Sequence, residues 1–97
     1  MYNYLHYINL LHASTPELQQ QFRVKSLGIF GSYSHNEQDI NSDLDILVSF
    51  NEVPSFVTFI RLEDRLREIT GLEVDLVMED GLKSIISQNI LREVIRI

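Results

Sequence analysis

Two aspartates stand close together at the start of an apolar run in the middle of the chain. Asp43 and Asp45 flank Leu44, and the run continues to Phe50. In an extended segment, side chains two residues apart project to the same face, so both carboxylates can reach one site. Carboxylate oxygens are ligands that Mg²⁺ prefers, and the ion can in turn bridge to phosphate oxygens. The spacing therefore favours chemistry on a phosphorylated substrate.

A Gly-Ser pair precedes these aspartates and could hold the phosphates. Gly31 and Ser32 follow an apolar run that ends at Phe30. A glycine at the end of a strand lets backbone N–H groups point at an anion, and a following helix adds the positive end of its dipole. The Ser32 hydroxyl could contact a phosphate oxygen or cap that helix. Ser42 is a further candidate nucleotide-binding residue, or a turn residue that positions Asp43.

A third acid lies within a separate apolar segment. Asp75 interrupts Leu72–Met78, where an isolated carboxylate would be costly to bury. It therefore needs a cation or a donor network, and a neighbouring strand that carries Asp43 and Asp45 could share the cation. Three carboxylates around one or two Mg²⁺ ions would suit in-line phosphoryl or nucleotidyl transfer, with Asp75 as the base or as a ligand of the second metal. Taken singly, each acid could merely solvate a strand end.

The three histidines are weaker candidates for binding phosphate or metal. His35 is near enough in the sequence to reach a phosphate, but a single loop histidine is usually an ordinary surface residue. His6 and His12 are not three or four residues apart, so they do not share one helical face for a metal.

Apolar spacing predicts the elements that must position these residues. A helix over residues 4–13 should end at Ser14-Thr15-Pro16, where a short second helix begins. The remaining predicted elements are strands over Val24–Phe30, Leu44–Phe50 and Leu72–Met78, a short helix after Gly31, a helix from about Phe56 that Gly71 ends, and a last helix from Gly81, capped by Asp80, to the C-terminus.

This order predicts one α/β (α+β) domain with a small mixed sheet and helices packed mainly on one face. Residues 1–23 would form N-terminal helices, and residues 24–97 the catalytic core. The site would lie at the sheet edge where Gly31 and Ser32 meet Asp43, Asp45 and Asp75.

Length and composition limit the choice of partners. The chain has 97 residues, 44% of them hydrophobic, which is enough for one core. It has no cysteine, which excludes disulfides and thiolate metal sites. No apolar run approaches the roughly 20 residues of a membrane span, and no signal peptide is evident, so a cytoplasmic protein without membrane association is expected. The net charge of -6 argues against extended nucleic-acid binding and favours a protein or a small phosphorylated partner.

These motifs resemble a known family. The Gly-Ser turn at Gly31 and the Asp-Leu-Asp segment from Asp43 resemble the Gly-Ser…Asp-x-Asp signature of the DNA polymerase beta nucleotidyltransferase superfamily. The short chain is similar to the minimal nucleotidyltransferases of that superfamily. The resemblance continues through the Val-Asp-Leu-Val strand around Asp75 and the final helix rich in Leu and Ile, and it covers roughly residues 27–97.

The resemblance implies a role for each motif. In the family, the acid pair and the later strand acid bind metal, which here means Asp43, Asp45 and Asp75, and the turn at Gly31 and Ser32 binds the triphosphate. The implied cofactor is Mg²⁺ and the implied substrate is ATP. Minimal members are typically antitoxins encoded beside a HEPN ribonuclease toxin, which they neutralise by forming a complex and by transferring AMP to a tyrosine. A hetero-oligomer with a HEPN-type toxin is therefore expected.

One segment departs from the family pattern. The usual Ala-Arg-Gly is replaced by Ser34-His35-Asn36, so the expected basic residue is a histidine. Two alternatives stay open. A catalytically weak or inactive fold could act as a purely binding antitoxin, which this segment favours and the three intact acids oppose. A small-molecule nucleotidyltransferase of the antibiotic-modifying type is disfavoured, because a single domain is expected and a second domain would be needed to form a substrate cleft.

Overall fold

A four-stranded mixed sheet organises the protein. The structure is a computed structural model that describes residues 2–79 and 84–97. Its strands are β1 (Val24–Phe30), β2 (Leu44–Phe50), β3 (Val74–Met78) and β4 (Ile95–Arg96). They lie in the order β3-β2-β1-β4; β1 is antiparallel to β2 and to β4, and β2 is parallel to β3. The predicted mixed sheet is confirmed.

The helices are α1 (Tyr4–Phe22), a 3₁₀ helix (Gly31–His35), α2 (Phe56–Thr70) and α3 (Ser84–Glu93). Two of them, α1 and α2, cover one face of the sheet. Alternate residues of β2 point to α1 and α2, because Leu44 and Ile46 are fully buried in one core with Leu11 and Leu62. Leu47 is also fully buried, so β2 is covered on both faces, as predicted. Among the residues that the structure describes, no helix is long and apolar enough to cross a membrane.

The N-terminal helix is continuous, and the predicted break at Ser14-Thr15-Pro16 is wrong. Pro16 lies inside α1, where its nitrogen cannot donate a hydrogen bond. The hydroxyls of Ser14 and Thr15 donate to carbonyls four residues earlier, each over 3.1 Å, so they do not cap a new helix. Leu11 and Leu18, on either side of Pro16, are both fully buried. This burial outweighs the local cost of the proline and keeps one helix.

The end of the chain also differs from the prediction, because the last helix stops at Glu93. The next residues form β4, which pairs with Gly28 and Ile29 of β1. The Ile97 N–H then donates to the Leu27 carbonyl over 3.1 Å. The edge of β1 would otherwise present unpaired backbone groups, and pairing with β4 satisfies part of it.

Smaller differences concern β3 and the start of α3. β3 begins at Val74, two residues later than predicted, because the Leu72 N–H is held by the Thr70 hydroxyl at the end of α2. The predicted cap Asp80 and helix start Gly81 lie outside the described residues.

The remaining predicted elements are confirmed. β1 and β2 have the predicted bounds, and a 3₁₀ helix follows directly at Gly31. α2 begins after Ser55, whose hydroxyl accepts from the Thr58 N–H over 3.1 Å. It ends at Gly71, which has a left-handed backbone with φ 73° and donates its N–H to the Arg67 carbonyl.

Packing of α2 on the sheet can be tested with two substitutions in the same helix. Leu62 is fully buried, whereas Phe56 is 79% exposed. Leu62→Ala should lower the free energy of unfolding by about 2–5 kcal/mol, because it leaves a cavity in the core. Phe56→Ala should change it by less than about 0.5 kcal/mol. Urea unfolding measures both, and equal losses for the two variants would contradict the described core.

Candidate active site

The sheet brings two of the predicted acids side by side. Asp45 of β2 and Asp75 of β3 are direct partners in the parallel pairing of these strands. Registered neighbours project to the same face, and this face is opposite α1 and α2 because Leu44 and Ile46 point to those helices. Asp43 directly precedes β2, and both Asp43 and Asp75 are exposed, so the expectation that Asp75 is a buried carboxylate is wrong. The three acids therefore gather where β2 and β3 begin.

The Gly-Ser turn meets the same end of the sheet. Phe30, the last residue of β1, is paired with Asp45, so Gly31 leaves the sheet beside that carboxylate. Gly31 has φ 74°, in the left-handed region that glycine tolerates best. A Cβ atom at this position would collide with Oδ2 of Asp45 and would lie 2.9 Å from its Cγ. Glycine is therefore favoured here both by its backbone conformation and by the close approach of the carboxylate.

The environment of Asp45 disfavours its charge. The pKa of this carboxyl is raised to about 6, chiefly by burial and then by the charges of Asp75 and Asp43, a hydrogen bond with Asp75 and the charge of Glu93. Three other carboxylates thus act on Asp45 at the end of the sheet. A cation at this position would relieve that repulsion.

The carboxylate oxygens at this site fit a hard divalent cation such as Mg²⁺. Within residues 2–79 and 84–97, no three histidine or acidic side chains already form a group that could hold a metal ion. Mg²⁺ commonly takes only one or two protein carboxylates and completes its octahedron with water and substrate phosphates. The neighbouring carboxylates of Asp45 and Asp75 match that mode by their chemistry and by their shared face.

The two serines occupy different positions relative to the acids. Ser32 is the second residue of the 3₁₀ helix, whose N-cap is Phe30. The Ser42 hydroxyl accepts a hydrogen bond from the Asp39 N–H over 2.9 Å. Its side chain therefore shapes the turn directly before Asp43.

A further acid, Glu93, is not among the residues that the sequence predicts for the site. Its Oε1 accepts from the Gly31 N–H over 3.1 Å, and its Oε2 lies 2.7 Å from Nε2 of His35. Glu93 thus joins the end of α3 to both ends of the 3₁₀ helix. No pattern in the sequence predicts a contact between residues 93 and 31. The only signal that this turn departs from the family pattern is that a histidine replaces the usual arginine before Asn36.

Comparisons with known proteins agree with the fold. A family model described as a nucleotidyltransferase domain matches residues 15–97. The protein adenylyltransferase MntA of Thermococcus cleftensis is 48% identical over 87 residues, which cover 90% of this chain and 88% of that protein. A solved structure described as a minimal nucleotidyltransferase matches with a TM-score of 0.79 at 31% identity, over 94% of this chain and 93% of that chain.

A solved toxin-antitoxin complex contains a chain of similar fold. It is described as the tri-AMPylated Shewanella oneidensis HEPN toxin bound to MNT antitoxin. The match has a TM-score of 0.65 at 20% identity and covers 91% of this chain and 69% of that chain. At 20% identity, this match shows a shared fold and no more.

The contact between Gly31 and Asp45 can be tested with a matched glycine. Gly71 has nearly the same backbone, φ 73°, but a Cβ there would meet nothing within 4 Å. Gly71→Ala should therefore cost only the backbone strain, about 1 kcal/mol, whereas Gly31→Ala should cost about 2–4 kcal/mol because it also collides with the carboxylate.

A double-mutant cycle separates the collision from the strain. In the Asp45→Ala background, the cost of Gly31→Ala should fall by about 1 kcal/mol or more, since the obstructing carboxylate is gone. The cost of Gly71→Ala should be the same in both backgrounds. Chemical denaturation gives all the values, and additive effects of the substitutions at positions 31 and 45 would show that the two residues do not touch.

The raised pKa of Asp45 predicts how stability depends on pH. Well below pH 3.8 this carboxyl is protonated in both the folded and the unfolded chain and contributes no difference. Between pH 3.8, its ordinary value, and about 6, the unfolded chain releases the proton while the folded chain keeps it, so stability falls as pH rises. Above pH 6 the penalty is constant, up to about 2 kcal/mol after allowance for solvent screening.

Asp45→Asn removes this penalty. In metal-free buffer the variant should be more stable than the wild type at pH 8, and the advantage should shrink towards pH 4. Glu37→Gln, at an exposed position of the same loop region, should follow the wild-type profile. Urea unfolding at the two pH values measures the free energy of unfolding of each protein. If Asp45→Asn is more stable than the wild type by the same amount at pH 4 and pH 8, the raised pKa of Asp45 is not the cause.

Proposed function

Because this chain belongs to the nucleotidyltransferase domain family, we propose that it transfers AMP from ATP to a hydroxyl group of a partner protein. The observation that carries the proposal is the registered pair of Asp45 and Asp75 beside the backbone of Gly31. A carboxylate pair next to this glycine suits a metal-bound triphosphate, because the carboxylates supply ligands for the metal and the missing side chain leaves space for the phosphates. The identity of 48% to a protein adenylyltransferase supports the choice of AMP and of a protein acceptor.

The acids would divide the work of the reaction. Asp43 and Asp45 would hold Mg²⁺ together with Asp75. Bound Mg²⁺ would neutralise phosphate charge and make the α-phosphorus more electrophilic. The acceptor hydroxyl oxygen forms a bond to the α-phosphorus, the bond from that phosphorus to the oxygen bridging to the β-phosphate breaks, and pyrophosphate leaves. The proton of the hydroxyl passes to the carboxylate of Asp75 if that group is not fully engaged by metal.

The turn would orient the triphosphate. Gly31 and Ser32 would offer backbone N–H groups, and the Ser32 hydroxyl would contact a phosphate oxygen. Ser42 stays a predicted contact of the nucleotide. Its hydroxyl oxygen also accepts a hydrogen bond from the Asp39 N–H, so we assign Ser42 the further role of holding the loop that carries Asp43.

The partner we propose is a HEPN-type ribonuclease toxin, and the acceptor is a tyrosine of that toxin. A fold similar to this chain occurs in the solved complex of a tri-AMPylated HEPN toxin with MNT antitoxin, which supports a hetero-oligomer of the same kind. The net charge of -6 also favours a protein partner over a nucleic-acid backbone.

A purely binding antitoxin is the second candidate, and one observation favours it. Glu93 occupies the Gly31 N–H and His35, two donors that a phosphate could use. Where a nucleotide cannot displace this carboxylate, the protein would neutralise its toxin by contact alone.

The two candidates can be separated by labelling. The protein is incubated with ATP labelled in its α-phosphate, Mg²⁺ and the cognate toxin, and label on the toxin is measured. The wild type should label the toxin, and Asp43→Asn with Asp45→Asn should lower labelling by roughly 100-fold or more, because the metal ligands are lost. Asp64→Asn is the control, since Asp64 lies on the exposed face of α2 and pairs with Arg67 at 2.8 Å.

Two results would contradict transfer. If the wild type neutralises the toxin without labelling it, the protein acts by binding. If the double variant labels as well as the wild type, the aspartates are not the catalytic acids.

A further inference from the structure

The carboxylate of Glu93 is bound in the way that a phosphate group would be bound. One oxygen accepts from the backbone N–H of Gly31 over 3.1 Å, and the other lies 2.7 Å from Nε2 of His35. A carboxylate can only accept, so Nε2 carries the hydrogen in this contact. A backbone N–H and an imidazole N–H on one short turn are donors that suit any small oxyanion. Glu93 therefore stands where an anionic ligand of this turn would stand.

The position of Glu93 is not explained by the stability of its own helix. It is the last residue of α3, where the helix dipole places partial negative charge and disfavours an acidic side chain. Its charge also acts on Asp45, in a cluster that already contains Asp75 and Asp43. These unfavourable contacts are offset by the two hydrogen bonds to the turn. The residue's chief interaction is thus with the Gly31–His35 helix.

The contact between Glu93 and His35 is exposed enough for a ligand to replace it. The side chain of Glu93 is 27% exposed and that of His35 is 48% exposed. An ion pair at such a position is screened by water and contributes little to stability, so a ligand with more charge can replace it. A triphosphate carries several negative charges and can accept from both donors.

We propose that Glu93 is an internal competitor for the phosphate-binding turn and thereby sets the affinity for ATP. The triphosphate displaces the carboxylate from the Gly31 N–H and from His35, and His35 then donates to a phosphate oxygen. His35 thus serves where the family pattern has an arginine, but only after Glu93 has released it. This inference rests on the proposed function, since it concerns the same nucleotide site.

The test compares two glutamates in matched surroundings. Glu93 and Glu79 each pair with a basic side chain, at 2.7 Å and 2.8 Å, and their side chains are 27% and 30% exposed. Glu93→Gln keeps an oxygen that accepts from Gly31 but removes the charge. Calorimetric titration with AMP-PNP and Mg²⁺ should show about tenfold tighter binding by Glu93→Gln than by the wild type at low salt. Glu79→Gln should bind within twofold of the wild type.

Two further readouts distinguish competition from a structural role. The gain in Glu93→Gln should shrink as salt is raised, because it arises from like-charge repulsion. It should also be smaller in a His35→Ala background, since the released imidazole is then missing. In the labelling reaction, Glu93→Gln should lower KM for ATP while kcat changes little. Thermal unfolding checks that every variant is folded.

The outcomes separate this inference from the proposed function. If the wild type binds AMP-PNP and Asp45→Asn abolishes binding, but Glu93→Gln binds equally or more weakly, the competitor role is wrong and the nucleotide site stands. Weaker binding would mean that Glu93 holds the turn in shape. If neither the wild type nor Glu93→Gln binds AMP-PNP with Mg²⁺, the proposed function and this inference both fall.

Discussion

The parallel pairing of β2 with β3 places two carboxylates side by side, and the rest of the site depends on that constraint. Asp45 and Asp75 are registered partners, so both side chains leave the same face of the ladder at neighbouring positions. On the other face, Leu44 and Ile46 are fully buried against the helices and fix the register, because a slip of one residue would expose them. The hydrophobic core thus supports an arrangement of charges that would otherwise separate.

Other elements adapt to this pair. Gly31 passes beside Asp45 because it has no side chain and adopts a left-handed backbone. β4 covers the open edge of β1, and the chain before it brings Glu93 to the same turn. The site therefore has a repelling group of carboxylates on one side and a carboxylate-bound turn on the other. The repulsion among the carboxylates is unfavourable alone, and a metal-bound triphosphate would relieve it.

Local patterns in the sequence predict the acids and the main strands, because spacing of two residues and apolar periodicity act over short distances. Asp43, Asp45 and Asp75 were identified in this way, and the structure gathers them at one end of the sheet. Long-range effects could not be predicted. Burial of α1 overrides the break at Pro16, β4 is only two residues long and exists because β1 has a free edge, and Glu93 reaches the turn across 62 residues of sequence.

The central claim is that the carboxylate pair is costly alone and is stabilised by a divalent cation with nucleotide. The most direct test is thermal unfolding at pH 8 of the wild type and Asp45→Asn, with and without Mg²⁺ and AMP-PNP together. The wild type should be the less stable protein without ligand and should gain several degrees with it, while Asp45→Asn should gain little. An equal gain in both proteins, or none in the wild type, would contradict the claim.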